Sequence, residues 1–162
     1  MKVRYAFDAC SFIELYDLYN PENFLFSKLW DIIEKLFEDE IIISSREILD
    51  EIHDKDITDK LKAHNTNFRP LSKEIQDICR GILEKYPQMI KIKSKHNSNG
   101  DPFLISTAVL EGCTIVTEEK FDDLKDPNSY KIPKVCNELG IQCINLKQFL
   151  DIIGSGEFSS ET

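Results

Sequence analysis

Four acidic residues stand where short apolar runs end or new helices begin. They are Asp8 after YAF, Glu51 in REILDEI, Asp101 ahead of PFLISTAVL, and Glu119 after CTIVT. In a chain that alternates strands and helices, such positions converge on one edge of a sheet. Carboxylates gathered there are costly to desolvate unless a cation sits among them. An all-oxygen anionic set suits a hard divalent ion, so Mg²⁺ or Mn²⁺ is expected rather than zinc. Such an ion acidifies a bound water and steadies a phosphate under in-line attack, which is the chemistry of a metal-dependent nuclease.

Each position also has a purely structural role to weigh. Asp8 is a good cap for the helix that follows, and Ser11 is placed either to cap or to hold the Asp8 carboxylate. Ser44-x-x-Glu47 matches a capping box, which accounts for Glu47 and leaves Glu51, one turn later, as the functional candidate. Asp101 before Pro102 reads as an N-cap with proline in the first turn, a role compatible with metal binding. Glu118, Glu119 and Asp122 all follow the CTIVT run, and one or two of them should reach the site. The expected metal set is then Asp8 and Asp101 with one or two of Glu118, Glu119 and Asp122. Arg46, Lys95, His96 and Lys120, on adjoining loops, are the candidates for contacting substrate phosphates.

The elements that must position these groups are short. Residues 2–9, 40–44, 88–92, 113–117 and 141–145 read as strands. Between them, helical spacing covers residues 11–19, a segment from Asn20-Pro21 to about Phe37, one opening at Ser44, one from Ser72, one from Asp101 to Gly112, and one over 133–139. Residues 65–70 read as a loop, and residues 146–153 as a last helix. This alternation predicts an α/β fold, a three-layer α/β/α sandwich around a central parallel sheet of about five strands. Residues 1–153 are expected to form one domain and 154–162 a frayed tail. Functional groups in such sheets gather beyond the carboxyl ends of the strands, at the point where strand order reverses.

The 162 residues are 41% hydrophobic and 30% charged, as in an ordinary globular domain. No apolar run approaches the ~20 residues that span a bilayer. The first residues turn acidic too soon for a secretory signal, so a cytoplasmic protein is expected. The five cysteines are scattered, without C-x-x-C pairs, and read mostly as small core fillers. A net charge of −9 argues against strong non-specific nucleic-acid binding, although metal-bound carboxylates count in that total. A basic protein partner would also suit such a surface. Cys10 stands where a haloacid-dehalogenase phosphatase needs a second aspartate, and a receiver domain would need an acidic pair that is missing here.

The segments YAFDACSFI, IIISSREILDEI, NGDPFLISTAVLEG and CTIVTEE, in this order, resemble the PIN domain family. The likeness runs on through KIPKVCNELGIQCINLKQFL, which is similar to a PIN-like subfamily of prokaryotic proteins, and covers most of residues 1–150. The resemblance implies a parallel sheet of order 3-2-1-4-5 and Mg²⁺- or Mn²⁺-dependent cleavage of RNA. It also implies, for many small members, the toxin half of a toxin–antitoxin pair, with an antitoxin or other protein partner. Homodimerisation is left open. Asp8 matches the family's first-strand aspartate, Ser11 its hydroxyl residue, Glu51 its helical glutamate and Asp101 its third acid. The fourth acid, usually Asp, is Glu119 here, with Asp122 as second candidate. The competing expectation is a PIN-like module of weak or absent activity that works by binding a protein partner.

Overall fold

Tyr5-Ala6-Phe7 is apolar throughout and becomes β1 (Tyr5–Phe7), a strand buried on both faces, as the central strand of a parallel sheet must be. The computed structural model describes residues 2–90, 100–121 and 130–156. After β1 come α1 (Ala9–Leu18), α2 (Ser27–Glu38), β2 (Ile42–Ser45), α3 (Arg46–Glu51), α4 (Lys55–Lys62), β3 (Phe68–Arg69) and α5 (Lys73–Lys85). Then follow α6 (Asp101–Glu111), β4 (Thr114–Val116), α7 (Ile132–Leu139), β5 (Cys143–Ile144) and α8 (Leu146–Gly154). The five strands pair in parallel in the order β3-β2-β1-β4-β5. The chain is thus an α/β sandwich with β1 at its centre, and strand order reverses between β1 and β4.

Pleat alternation divides the core. Tyr5 and Phe7 meet Phe149 of α8, with ring centroids 5.2 and 4.8 Å apart, and Phe7 stacks on Phe12 of α1 at 5.1 Å. Phe12 in turn faces Phe37 of α2. Each such fully buried aromatic contributes about 1.5–3 kcal/mol relative to exposure. Ala6, between them, points to the other face. There α6 packs on β1, β2 and β4, with α5 and α7 against it. Buried residues cover most of α6, Leu104 to Ala108, which fixes it as a platform at the middle of the molecule. Gly112, at φ +68°, closes α6 in the left-handed conformation that glycine takes without strain. Among the described residues no helix is long and apolar enough to cross a membrane.

Several local expectations are corrected. The third strand is Phe68–Arg69, in the stretch expected to be a loop, while Gln88 and Met89 of the expected strand belong to a 3₁₀ turn, Pro87–Met89. Residues 91 and 92 lie outside the described residues. Asn20 does not cap a helix. Its side chain accepts from Glu22 N in a local turn, a 3₁₀ turn spans Phe24–Phe26, and α2 starts at Ser27. The Ser44–Glu47 capping box is absent: Ser44 Oγ donates to the Phe7 carbonyl at 2.6 Å, and the α3 cap is Ser45, which makes no side-chain capping bond. Gly100, not Asp101, is the cap of α6. Cys79, Cys113 and Cys136 are buried as expected of core fillers, but Cys10 is exposed. Gly154 belongs to α8 rather than to a tail.

Candidate functional site: an acidic edge held by helix N-termini

Asp8 follows β1 directly, so its carboxylate lies at the carboxyl edge of the sheet's central strand. It is 3% exposed. Its Oδ1 accepts from Ser11 N at 2.8 Å, capping α1, and its Oδ2 accepts from the Thr117 hydroxyl at 2.5 Å. The Ser11 hydroxyl donates to the Val116 carbonyl at 3.1 Å, tying α1 to the end of β4. The capping role expected of Asp8 is therefore present. Thr117 went unforeseen as a site residue; its signal was a hydroxyl between an apolar strand and an acidic pair. It also accepts from Glu119 N at 3.1 Å, which fixes where the chain turns after β4.

Glu119, Asp101 and Glu51 join Asp8. Glu119 and Asp101 hydrogen-bond to each other through their carboxyl groups. Burial drives Asp101 well above the ordinary aspartate range, and the charges of Glu119, Asp8 and Glu51 push it further. Burial likewise raises Glu119 and Glu51, with Asp8 adding to both. Asp8 is raised by burial against the opposing bonds from Thr117 and Ser11. The charge of Asp8 bears on the other three, the physical sign that the topology has brought four distant acids together.

What holds them is backbone. Glu51 Oε1 accepts from Gly100 N at 2.5 Å, at the start of α6. Glu119 Oε2 accepts from Ile132 N at 2.7 Å, the first residue of α7, and Glu118 Oε1 from Leu146 N at 2.6 Å, the first of α8. With Asp8 on α1, four helices aim their partially positive ends at this edge. The approach at α6 is close: a Cβ on Gly100 would lie 2.7 Å from Glu51 Oε1 and 3.0 Å from Ile48 Cδ1, so those side-chain ends would have to shift. The Asn-Gly-Asp run marked only a turn in the sequence, and nothing there signalled that close contact.

Among the described residues, the basic side chains that ease these acids are His53, beside Glu51, and Lys131, beside Glu119, and burial outweighs both. Arg46 and Lys120 are exposed, Arg46 at the start of α3 and Lys120 beside Glu119. Lys95, His96 and Asp122 lie outside the described residues. Glu118 is exposed and turned toward α8. It hydrogen-bonds to Glu14 of α1, whose carboxyl is raised chiefly by that bond. Partial desolvation and then the four acids push the Cys10 thiol up to about 11, which favours its protonated form at neutral pH. Ser45 Oγ, at the end of β2, is buried without a hydrogen-bond partner among the described residues.

The donor chemistry of Asp8, Asp101, Glu119 and Glu51 fits a hard cation. Their geometry is not that of a preformed cage: among the described residues no group of three or more His, Cys, Asp or Glu side chains is arranged to hold a metal ion. The Asp101–Glu119 bond must open, and its shared proton leave, for both carboxylates to turn to one ion. Residues 5–154 match the family described as a domain of unknown function, DUF4411, and the chain belongs to that family. No curated protein matches the chain.

Proposed function

We propose that this DUF4411 protein is a metal-dependent ribonuclease of the PIN-like kind, hydrolysing RNA phosphodiester bonds at the carboxyl edge of its sheet. The observation that carries the reading is the cluster itself: burial raises the carboxyls of Asp8, Glu51, Asp101 and Glu119, the charge of Asp8 adds to the rise at the other three, and hydrogen bonds from backbone N–H groups and the Thr117 hydroxyl oppose it. The strand order, the same as the order implied by the resemblance, also supports it. In this reading Asp8, Asp101 and Glu119 hold Mg²⁺ or Mn²⁺, which when bound supplies an acidified water and a counter-charge for the phosphate. Asp8 contributes a carboxylate already oriented by Thr117 and Ser11. Asp101 and Glu119 give up their shared proton on assembly, and Glu51, anchored on Gly100, closes the acidic ring. Arg46 and Lys120 offer the RNA backbone its cationic contacts at the mouth. A neutralising protein partner, as in a toxin–antitoxin pair, is part of the same proposal.

A second reading, a PIN-like module that acts by binding a protein partner, draws on the missing preformed ligand set and the net charge of −9. One experiment separates the two. Purified protein and its Asp8→Asn variant are incubated with a mixed RNA panel in Mn²⁺, Mg²⁺ or EDTA. The nuclease reading expects metal-dependent cleavage that the variant loses. A folded protein that binds Mn²⁺ yet leaves every RNA intact would reject it in favour of the module.

A further inference from the structure

Between α1 and α2 the chain holds two large apolar side chains out in water. Phe24 is 85% exposed and Leu25 80%, and Leu18, the last residue of α1, is 58% exposed. The turn that carries them is fixed by its own hydrogen bonds. Asn20 Oδ1 accepts from Glu22 N at 2.9 Å, Asn23 Oδ1 accepts from Leu25 N at 3.0 Å, and Ser27 Oγ donates to the Phe24 carbonyl at 2.8 Å. Tyr19 meets Phe26 edge-on with centroids 5.4 Å apart, and Trp30 Nε1 donates to the Tyr19 carbonyl. Leu18 and Leu25 directly precede Tyr19 and Phe26 in the chain. A loose loop would be able to fold Phe24 and Leu25 inward, but this one is pinned with them outward. Apolar groups displayed together in this way mark a surface that another molecule covers.

The charge of the corner selects the occupant. Residues 14–34 carry Glu14, Asp17, Glu22, Asp31 and Glu34 against the single cation Lys28. Lys60 engages Glu22 at 3.6 Å and His64 engages Glu34 at 2.9 Å, while Asp17 and Asp31 remain exposed on either side of the turn. A second copy would bring the same acids to the contact, in a chain already at −9, and an anionic lipid surface would bring the same sign. A partner of opposite charge gains on both counts.

We infer that the α1–α2 corner is a docking site for a basic amphipathic helix of another protein. Its apolar face covers Phe24, Leu25 and Leu18, and its Lys or Arg side chains lie against Asp17 and Asp31. The inference does not depend on the nuclease reading and survives its failure.

Fluorescence anisotropy tests it with a labelled helical peptide of leucine and lysine, about 18 residues long with one apolar face, and with its leucine–glutamate counterpart. The full chain is expected to bind the leucine–lysine peptide at least about tenfold more tightly than the F24S/L25S variant does, and to ignore the leucine–glutamate peptide. Equal binding by both proteins, or binding of both peptides, overturns the site. Sedimentation of the full chain alone examines the other occupant: a dimer that F24S/L25S dissociates overturns the proposal in favour of a second copy. Flotation with neutral phosphatidylcholine vesicles, if lost in F24S/L25S, overturns it in favour of a membrane. Circular dichroism checks that the double variant folds. Asp17→Lys, a change at an exposed position, must also weaken the leucine–lysine peptide several-fold, and unchanged binding there overturns the charge argument.

Discussion

At the edge where β1 begins, Arg4 Nη1 lies 3.1 Å from Glu111, Arg69 Nε lies 2.9 Å from the same carboxylate, and Arg69 Nη1 lies 3.0 Å from Glu40. Each of these acids has a guanidinium group against it. At the opposite edge, where β1 ends, Asp8, Glu51, Asp101 and Glu119 face one another, and their strongest partners are backbone N–H groups and the Thr117 hydroxyl. Both edges rim the same buried sheet. The first edge is electrostatically complete as it stands. The second is a cluster of buried acids without such partners, and that difference is what the proposed function rests on.

The largest test of this contrast is chemical. Asp8→Asn and Asp101→Asn should each lower Mn²⁺-dependent RNA cleavage by roughly a thousandfold, since metal-borne charge stabilisation amounts to several kcal/mol. Circular dichroism should show both variants folded. Retained cleavage in Asp101→Asn would remove that residue from the ligand set.

Next in size is the contact that positions Glu51. Gly100→Ala places a Cβ 2.7 Å from Glu51 Oε1, so the glutamate must shift. Urea denaturation should show a loss of about 1–3 kcal/mol from overpacking. A variant as stable as the parent would mean that the edge is looser than described. Arg69→Ala probes the other edge: with its side chain 19% exposed and two acidic partners, its loss should cost about 1–2 kcal/mol. That variant should leave cleavage unchanged, and a loss of activity would join two edges that the account keeps apart.

The smallest effect concerns pH, and the two edges have opposite signs. The four site acids have folded pKa values raised above the ordinary 3.8 and 4.5. In the window above those ordinary values the folded protein holds protons that the unfolded chain has released. Metal-free stability therefore falls as pH rises through the window and recovers as pH drops back. Glu40, lowered by its hydrogen bond to Arg69, behaves the other way, stabilising above 4.5 and losing that contribution as pH falls through its lowered value. Thermal melts of the EDTA-treated protein should show higher Tm at pH 5.5 than at pH 8, with the difference reduced in Asp101→Asn. An unchanged slope in that variant would show that the cluster does not set it.

How much of this was legible in the sequence followed from how local each cause is. β1, β4 and α6 are apolar runs with clear ends, and Asp8 and Asp101 stand out because each abuts one. Phe68–Arg69 was hidden because a two-residue strand shows no alternation and exists only through its pairing with Ser44 and Ser45. The stretch around Ile90 suggested a strand by alternating lysine and isoleucine, yet Pro87–Met89 forms a 3₁₀ turn. Ser44 matched a cap motif but sits inside the sheet, bonded to the Phe7 carbonyl. Thr117 left only a weak signal, a hydroxyl between an apolar strand and an acidic pair, while Gly100 and the Glu14–Glu118 contact depend on neighbours 49 and 104 residues away and leave no local pattern.

Calorimetric titration of Mn²⁺ into the protein and into Asp101→Asn at neutral pH tests most directly whether the acidic edge awaits a cation. The account predicts that the wild-type chain binds Mn²⁺ with release of protons, and that Asp101→Asn binds at least about tenfold more weakly. A wild-type chain that binds no Mn²⁺, or two proteins that bind it alike, would contradict it.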